Sequence, residues 1–452
     1  MIPAIRDAIE AWHALLTPAM AQESGHWLAE RQRELGLVFG TRPVCTALRP
    51  RFLTPAQERR IREVARPVLS AFETTWRAAL ADPALRAQFM LEPWEETLLA
   101  DAPRLPLGSP LGRLDAFFAP DGEGLRFTEY NAETPAGAGY SDALAPMFER
   151  IPVMAPFRKH WVARPLHTVP ATLTALVEYH HQWFGTRATP SIAILDWDDV
   201  PTRSEHHLME RHLQAMGLPC LVADPREADY RDGRLTVRGT PVTLVYKRVL
   251  IHELVHRLGL ESPLVRATRD GAVCLVDPFH CKPLHKKASL AVLSDERNAH
   301  LFSATELAAI HAHIPWTRRV ERRATTHGGA TVDLLEFCER EKDRLVLKPN
   351  DEYGGTGIVL GWECDGDAWR SALTHALEAP YVVQERIHIP SEPYPALDAE
   401  GRLEIGPRTV DTAPYCYGTW SEGILSRVST ASLVNVTAGG GSTVPTFLVE
   451  PR

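Results

Sequence analysis

Between residues 191 and 225 the chain reads SIAILDW, then a helical pattern over 204–216, then LPCLVADP. Two short apolar runs joined through a helix argue for a parallel, Rossmann-like unit, because parallel neighbours need a crossover connection. This rhythm places the chain in the α/β class. At 452 residues there is room for about three domains of roughly 150 residues each. A hydrophobic fraction of 44% with 23% charged residues excludes wholesale disorder. With 49 Lys+Arg against 57 Asp+Glu, the net charge is −8. There is no long Lys/Arg block, so phosphate-backbone binding lacks its cations and nucleic acid is not expected as a partner.

The N-terminus, MIPAIRDAIEAWHALL, is amphipathic with acids inside it and lacks the pattern of a signal peptide. No uninterrupted apolar stretch of about 18 residues occurs, so no membrane span is expected. Cys45, Cys220, Cys274, Cys281, Cys338, Cys364 and Cys416 are scattered and form no C-x-x-C pair. Neither a disulfide framework nor a cysteine zinc site follows, and a reducing cytoplasm is the natural compartment.

The first hundred residues look mainly helical. TPAQ at 54–57 has capping-box spacing, with Pro55 at the first helical position. Behind it Ile61, Val64, Val68, Phe72 and Trp76 recur at three- and four-residue steps. Pro67 is expected to kink or shift that helix. RDGRLTVRGTPVTLVYKRV, from 231, reads as a hairpin.

Four segments carry candidate chemistry. GRLDAFFA, PDGEG and LRFTEYNAE read as strand, turn and strand. With the turn centred near Gly122, Asp115 lies opposite Glu129 and Arg113 opposite Asn131, all on one face. By strict alternation Thr128 points the other way. Hard oxygen donors of this kind suit Mg²⁺, although taken alone the hairpin is read as an exposed polar sheet face. RLVLKPNDEYGGTGIVL (344–360) joins Lys348 to Gly354, Gly355 and Gly357. It reads either as a phosphate-approaching loop or as an ordinary Gly-rich hairpin. HELVH (252–256) matches the H-E-x-x-H pattern, but position 262 of the extended version is Ser262, and zinc hydrolysis is rejected. DWDD (196–199) follows a strand, where it serves either as a ligand site or as a helix cap. No G-x-S-x-G and no catalytic cysteine context occur.

Together, LGRLDAFF, FTEYNAETPAG, CKPLHKKASLAVLSD, RLVLKPNDEYGGTGIVLG, YVVQERI and SRVSTASLVNVTAGGGSTVP resemble the circularly permuted ATP-grasp family. That group includes the synthetase half of glutathionylspermidine synthetase. The likeness covers roughly three quarters of the chain, from about residue 110 onward, and covers the N-terminal helical region least. Permutation is implied because the EYN strand precedes both lysines. The resemblance implies Asp115, Glu129 and Asn131 as Mg²⁺ ligands, with Arg113 beside them. Lys287 and Lys348 match the lysines that hold the ATP phosphates. Lys286 departs from the family, which usually has a neutral residue there, so either neighbour could serve. Gly354, Gly355 and Gly357 match the flap over the γ-phosphate. Gln384, Glu385 and Arg386 fall in the hinge strand that receives adenine, and Arg427 matches an arginine near the transferred phosphate.

The implied fold is α/β (α+β). Residues 1–105 form a helical region and 106–165 a permuted ATP-grasp lobe carrying the metal ligands. Residues 166–285 form a Rossmann-like pre-ATP-grasp domain, 286–390 the nucleotide-binding lobe, and 391–452 the return to the permuted lobe. The implied activity is ATP- and Mg²⁺-dependent ligation of a carboxylate to an amine or thiol through an acylphosphate, releasing ADP and phosphate. Its substrates are small-molecule or peptide carboxylates and amines. A nucleotide-binding module without ligase activity and an ATP-grasp-type kinase are the alternatives. No cysteine-amidase segment is present, so glutathionylspermidine itself is not implied as product.

Overall fold

The apolar runs at 191–225 do lie side by side in a parallel sheet. In this computed structural model, residues 2–39, 42–119, 124–352, 354–431 and 441–452 are described. The sheet has the order Cys274–Val276, Leu244–Lys247, Ile192–Leu195, Cys220–Ala223. All its neighbours are parallel, with Ile192 level with both Cys220 and Leu244. Helix Arg203–Ala215 makes the crossover between Ile192–Leu195 and Cys220–Ala223. Leu244–Lys247 was expected to close a hairpin and instead joins this sheet. The antiparallel part ends earlier, as a separate three-stranded unit over 228–241. The four buried residues Leu244–Lys247 bury more surface between parallel neighbours than a hairpin edge would allow.

The hairpin read at 112–131 belongs to a larger antiparallel sheet. Its order is Ser391–Leu397, Leu403–Val410, Trp420–Ser429, Ala413–Tyr417, Leu111–Phe117, Arg126–Asn131, and Gly441–Val444 also pairs with Trp420–Ser429. Arg113 is level with Tyr415, so two stretches distant in sequence meet in one sheet. A third sheet has the order Thr317–Arg319, Tyr381–Glu385, Leu345–Pro349, Val359–Leu360.

The N-terminal hundred are largely helical, as expected, and add strand Arg51–Leu53, which pairs in parallel with Thr446–Pro451. Helix Pro55–Ala81 starts at the anticipated box. Gln57 N donates to Thr54 Oγ1 and Thr54 N donates to Gln57 Oε1. Pro67 lies inside this one 27-residue helix and does not divide it. Ile61, Val64, Val68, Phe72 and Trp76 are all buried, and each large apolar side chain so placed contributes about 1.5–3 kcal/mol. Trp76 also donates from Nε1 to His280 O, which ties the helix to the lysine-bearing segment. Among the described residues no helix is long and apolar enough to cross a membrane.

Candidate functional site

The site is built on the face of the hairpin. Arg113 pairs with Asn131, Leu114 with Tyr130 and Asp115 with Glu129, the register that the sequence implies. Beyond Asp115 the register slips, and Ala116 pairs with Phe127. Thr128 is thus the extra residue of a β-bulge, which breaks the two-residue period. Phe127 and Tyr130, three residues apart, both enter the core. Thr128 and Glu129, adjacent in sequence, both line the cleft. The alternation that would turn Thr128 away is corrected by this bulge. The turn itself, including Gly122, lies outside the described residues.

Asp115 is held by two arginines. Arg113 Nε donates to its Oδ1 at 2.7 Å, and Arg427 donates to its Oδ2 at 2.9 Å. Burial works against ionisation of Asp115, and the two guanidiniums overcome it, holding the carboxyl well below the usual carboxylate range. Arg427 is aimed by Asp411, which accepts from its Nε at 2.5 Å. Asp411 is buried and lines the cleft. Sequence reading missed it, because a lone Asp in VDTAP carries no motif. Only the return of strand Trp420–Ser429 beside it gives it a partner.

Lys348 and Val346 lie on one face of Leu345–Pro349, and Gln384 stands opposite Val346 on the neighbouring strand. Lys348 Nζ donates to Gln384 Oε1 at 2.7 Å and to Thr128 O at 3.3 Å, which links two sheets across the cleft. Burial, with the like charge of Lys287 adding to it and Glu129 opposing, pushes the Lys348 ammonium down to about 8. Lys287 Nζ lies 3.1 Å from Glu129 Oε1 and donates to Glu352 O. Burial opposes ionisation of Glu129 as well, and Lys287 lowers it on balance. Lys286 points elsewhere, into a pair with Glu95 at 2.8 Å.

The cleft, of about 350 Å³, extends from this charged end to an apolar one. Ile358, Leu360, Trp362, Ile387 and Ile389 line the far end, and the Arg386 guanidinium stacks 4.1 Å over Trp362. Of the proposed hinge residues, Gln384 and Arg386 face the cleft through these contacts. Glu385, also a lining residue, accepts at Oε1 from Arg344 Nη2 at 3.0 Å. Gly354 and Gly355 line the cleft with φ of 67° and 83°, a region where a Cβ is disfavoured. Gly357 is not a lining residue and packs instead against Pro349 and Tyr381.

Asp115, Glu129 and Asn131 present side-chain oxygens of the kind a hard divalent cation takes along one wall of the cleft, with Asp115 paired to Arg113 and Arg427 and Glu129 paired to Lys287. Among the described residues no group of three His, Cys, Asp or Glu side chains gathers as a metal site. In HELVH, Glu253 accepts from Trp197 Nε1 at 2.7 Å and His256 packs edge-on against Trp94. DWDD does not cap the following helix, whose N-cap position is Thr202. Asp198 pairs with Arg203 at 2.8 Å, and Asp196 lies buried 3.4 Å from His206.

Two antiparallel sheets border the cleft and the parallel sheet lies outside its lining, in a mixed α/β fold. This fold is similar over 97% of this chain and 95% of the other to the apo structure of a glutathione synthetase-like effector from Globodera pallida, at 12% identity and a TM-score of 0.61. A putative gamma-glutamylcysteine synthetase from Methylobacillus flagellatus aligns over 84% of this chain and 88% of its own, at 11% identity and a TM-score of 0.39, too low to bear on the fold. No protein-family model matches the chain, and no curated protein matches its sequence.

Proposed function

We propose that the chain is an ATP- and Mg²⁺-dependent ligase of circularly permuted ATP-grasp type, joining a carboxylate to an amine or thiol. The observation that carries this reading is the convergence on one cleft of Asp115, Glu129 and Asn131 with Lys348, Arg113 and Arg427, opposite an apolar end, with Lys287 reaching Glu129 from behind the lining. Permutation is supported by the sheet that unites residues 111–131 with 413–429, while both lysines lie between them in sequence.

In this reading the apolar end around Trp362 receives adenine. Lys287 and Lys348 neutralise phosphate oxygens, and the Gly354–Gly355 backbone approaches the γ-phosphate. Asp115, Glu129 and Asn131 would hold Mg²⁺, which when bound would supply charge neutralisation for the phosphates. Arg427, aimed by Asp411, and Arg113 orient the substrate carboxylate for attack on the γ-phosphorus. ADP leaves, an acylphosphate remains, and the amine displaces phosphate from the acyl carbon. The protein's contribution is placement and charge compensation, with no covalent enzyme intermediate.

Two measurements test this. Mg²⁺ with ATP or ADP is expected to raise the melting temperature, as any ligand selective for the folded state does. ADP release screened across acid and amine pairs is expected to depend on both substrates. A flat thermal titration to millimolar nucleotide would rule the reading out, and ADP formed with an acceptor alcohol and no amine would point to a kinase.

A further inference from the structure

One buried charge cluster lies behind the cleft and is not used by the reading above. It contains three lysines, Lys247, Lys282 and Lys286, against three carboxylates, Glu95, Glu133 and Asp351. All but Asp351 are almost wholly buried. Lys286 Nζ lies 2.8 Å from Glu95 and 3.0 Å from Asp351, and Lys282 Nζ reaches Asp351 at 2.8 Å. Asp351 stands at the root of the glycine-rich turn. The residues on either side are tied down too. Lys287 N and Ala288 N donate to the backbone and side-chain oxygens of Asn350, and Lys287 Nζ donates to Glu352 O.

We infer that Lys286 is a positioning residue. Anchored by Glu95 from the N-terminal helical region, it holds Asp351 together with Lys282 and so fixes the root of the glycine-rich turn, while Lys287 is the lysine that reaches Glu129. The geometry favours this over a direct ligand role, since Lys286 pairs with Glu95 and Asp351 inside a set of matched charges while its neighbour reaches Glu129, which lines the cleft. It also gives the N-terminal helical region a function, because Glu95, with Asp351, supplies the charge that makes a buried lysine tolerable at this position. Buried ions are kept only when paired.

The inference rests on the nucleotide reading for one arm of its test and stands apart from it in the other. Lys286→Met alone leaves Glu95 charged and buried, so the decisive variant is Glu95→Gln with Lys286→Met, which removes both charges. Amide exchange at residues 350–352 and 354–357 is expected to speed up by about tenfold or more in that variant, with residues 192–195 unchanged. The Kd for ADP with Mg²⁺ is expected to rise about tenfold. Lys286→Arg with Glu95 intact is expected to keep both at wild-type values. Wild-type exchange in the turn would overturn the inference, and so would loosening that reaches 192–195 equally or a loosened turn with unchanged Kd. If the wild-type protein binds no nucleotide, the functional reading fails, and the exchange arm alone still decides the role of Lys286.

Discussion

The parallel sheet and the seven-stranded antiparallel sheet handle polar chemistry in opposite ways. In the parallel sheet, Ile192–Leu195 and Leu244–Lys247 are buried throughout, and charged groups appear where strands end, at Asp196, Arg248 and Asp277. In the antiparallel sheet, Leu114, Phe127 and Tyr130 enter the core while Arg113, Asp115, Glu129 and Asn131 project from the same two strands into the cleft. A sheet covered on both faces can present chemistry only at its edges, whereas one with a single covered face presents it along its length. The candidate site therefore draws its oxygens and arginines from the second sheet and leaves the first as scaffold.

The sharpest test of that division is Glu129→Gln. It keeps shape but removes a carboxylate, and ADP-forming turnover is expected to fall by about 10²–10³-fold while nucleotide Kd rises far less. Normal turnover would return the hairpin to an ordinary polar surface. The scaffold counterpart is Ile194→Ala, in the fully buried parallel strand. It should cost about 2–5 kcal/mol in chemical denaturation, and nucleotide Kd measured in buffer should stay within about twofold of wild type. A proportionate loss of affinity would show that the two sheets are not separable.

A smaller effect concerns Lys348, whose ammonium titrates near 8 in the free protein, chiefly because of burial. Phosphate favours the charged form, so binding above that pH requires proton uptake. Affinity is expected to be level below about pH 8 and to fall by up to tenfold per unit above it. Lys348→Arg, charged throughout, should flatten the profile, and a flat wild-type profile would remove Lys348 from the phosphates. The smallest expected change is at Thr128. Its place on the bulge, with Oγ1 donating to Asp115 O at 3.3 Å, predicts a loss of about two- to fivefold in turnover for Thr128→Val. No change at all would mean that the bulge tolerates any residue of that size.

Much of this was legible from residues alone, wherever the deciding interactions are local. The capping box at Thr54, the buried stripe from Ile61 to Trp76 and the strand–helix–strand unit at 191–225 all depend on neighbours a few positions apart. The register of Asp115 on Glu129 was equally readable, since a hairpin couples its strands through one turn. The bulge at Thr128 was not, because strict alternation is only the default and packing of both Phe127 and Tyr130 beneath the sheet overrides it. Asp411 had no signal until strand Trp420–Ser429 came back to lie beside it. The pair Lys286 and Lys287 shows the boundary most plainly. Two adjacent lysines carry the same charge in sequence, and nothing local separates them. Long-range contacts do, since Glu95 and Asp351 draw one lysine into the interior while Glu129 meets the other at the cleft. Residue type and spacing determined which chemistry the chain could display. Tertiary structure decided which copy displays it, because burying a charge is tolerable only where the fold supplies its partner.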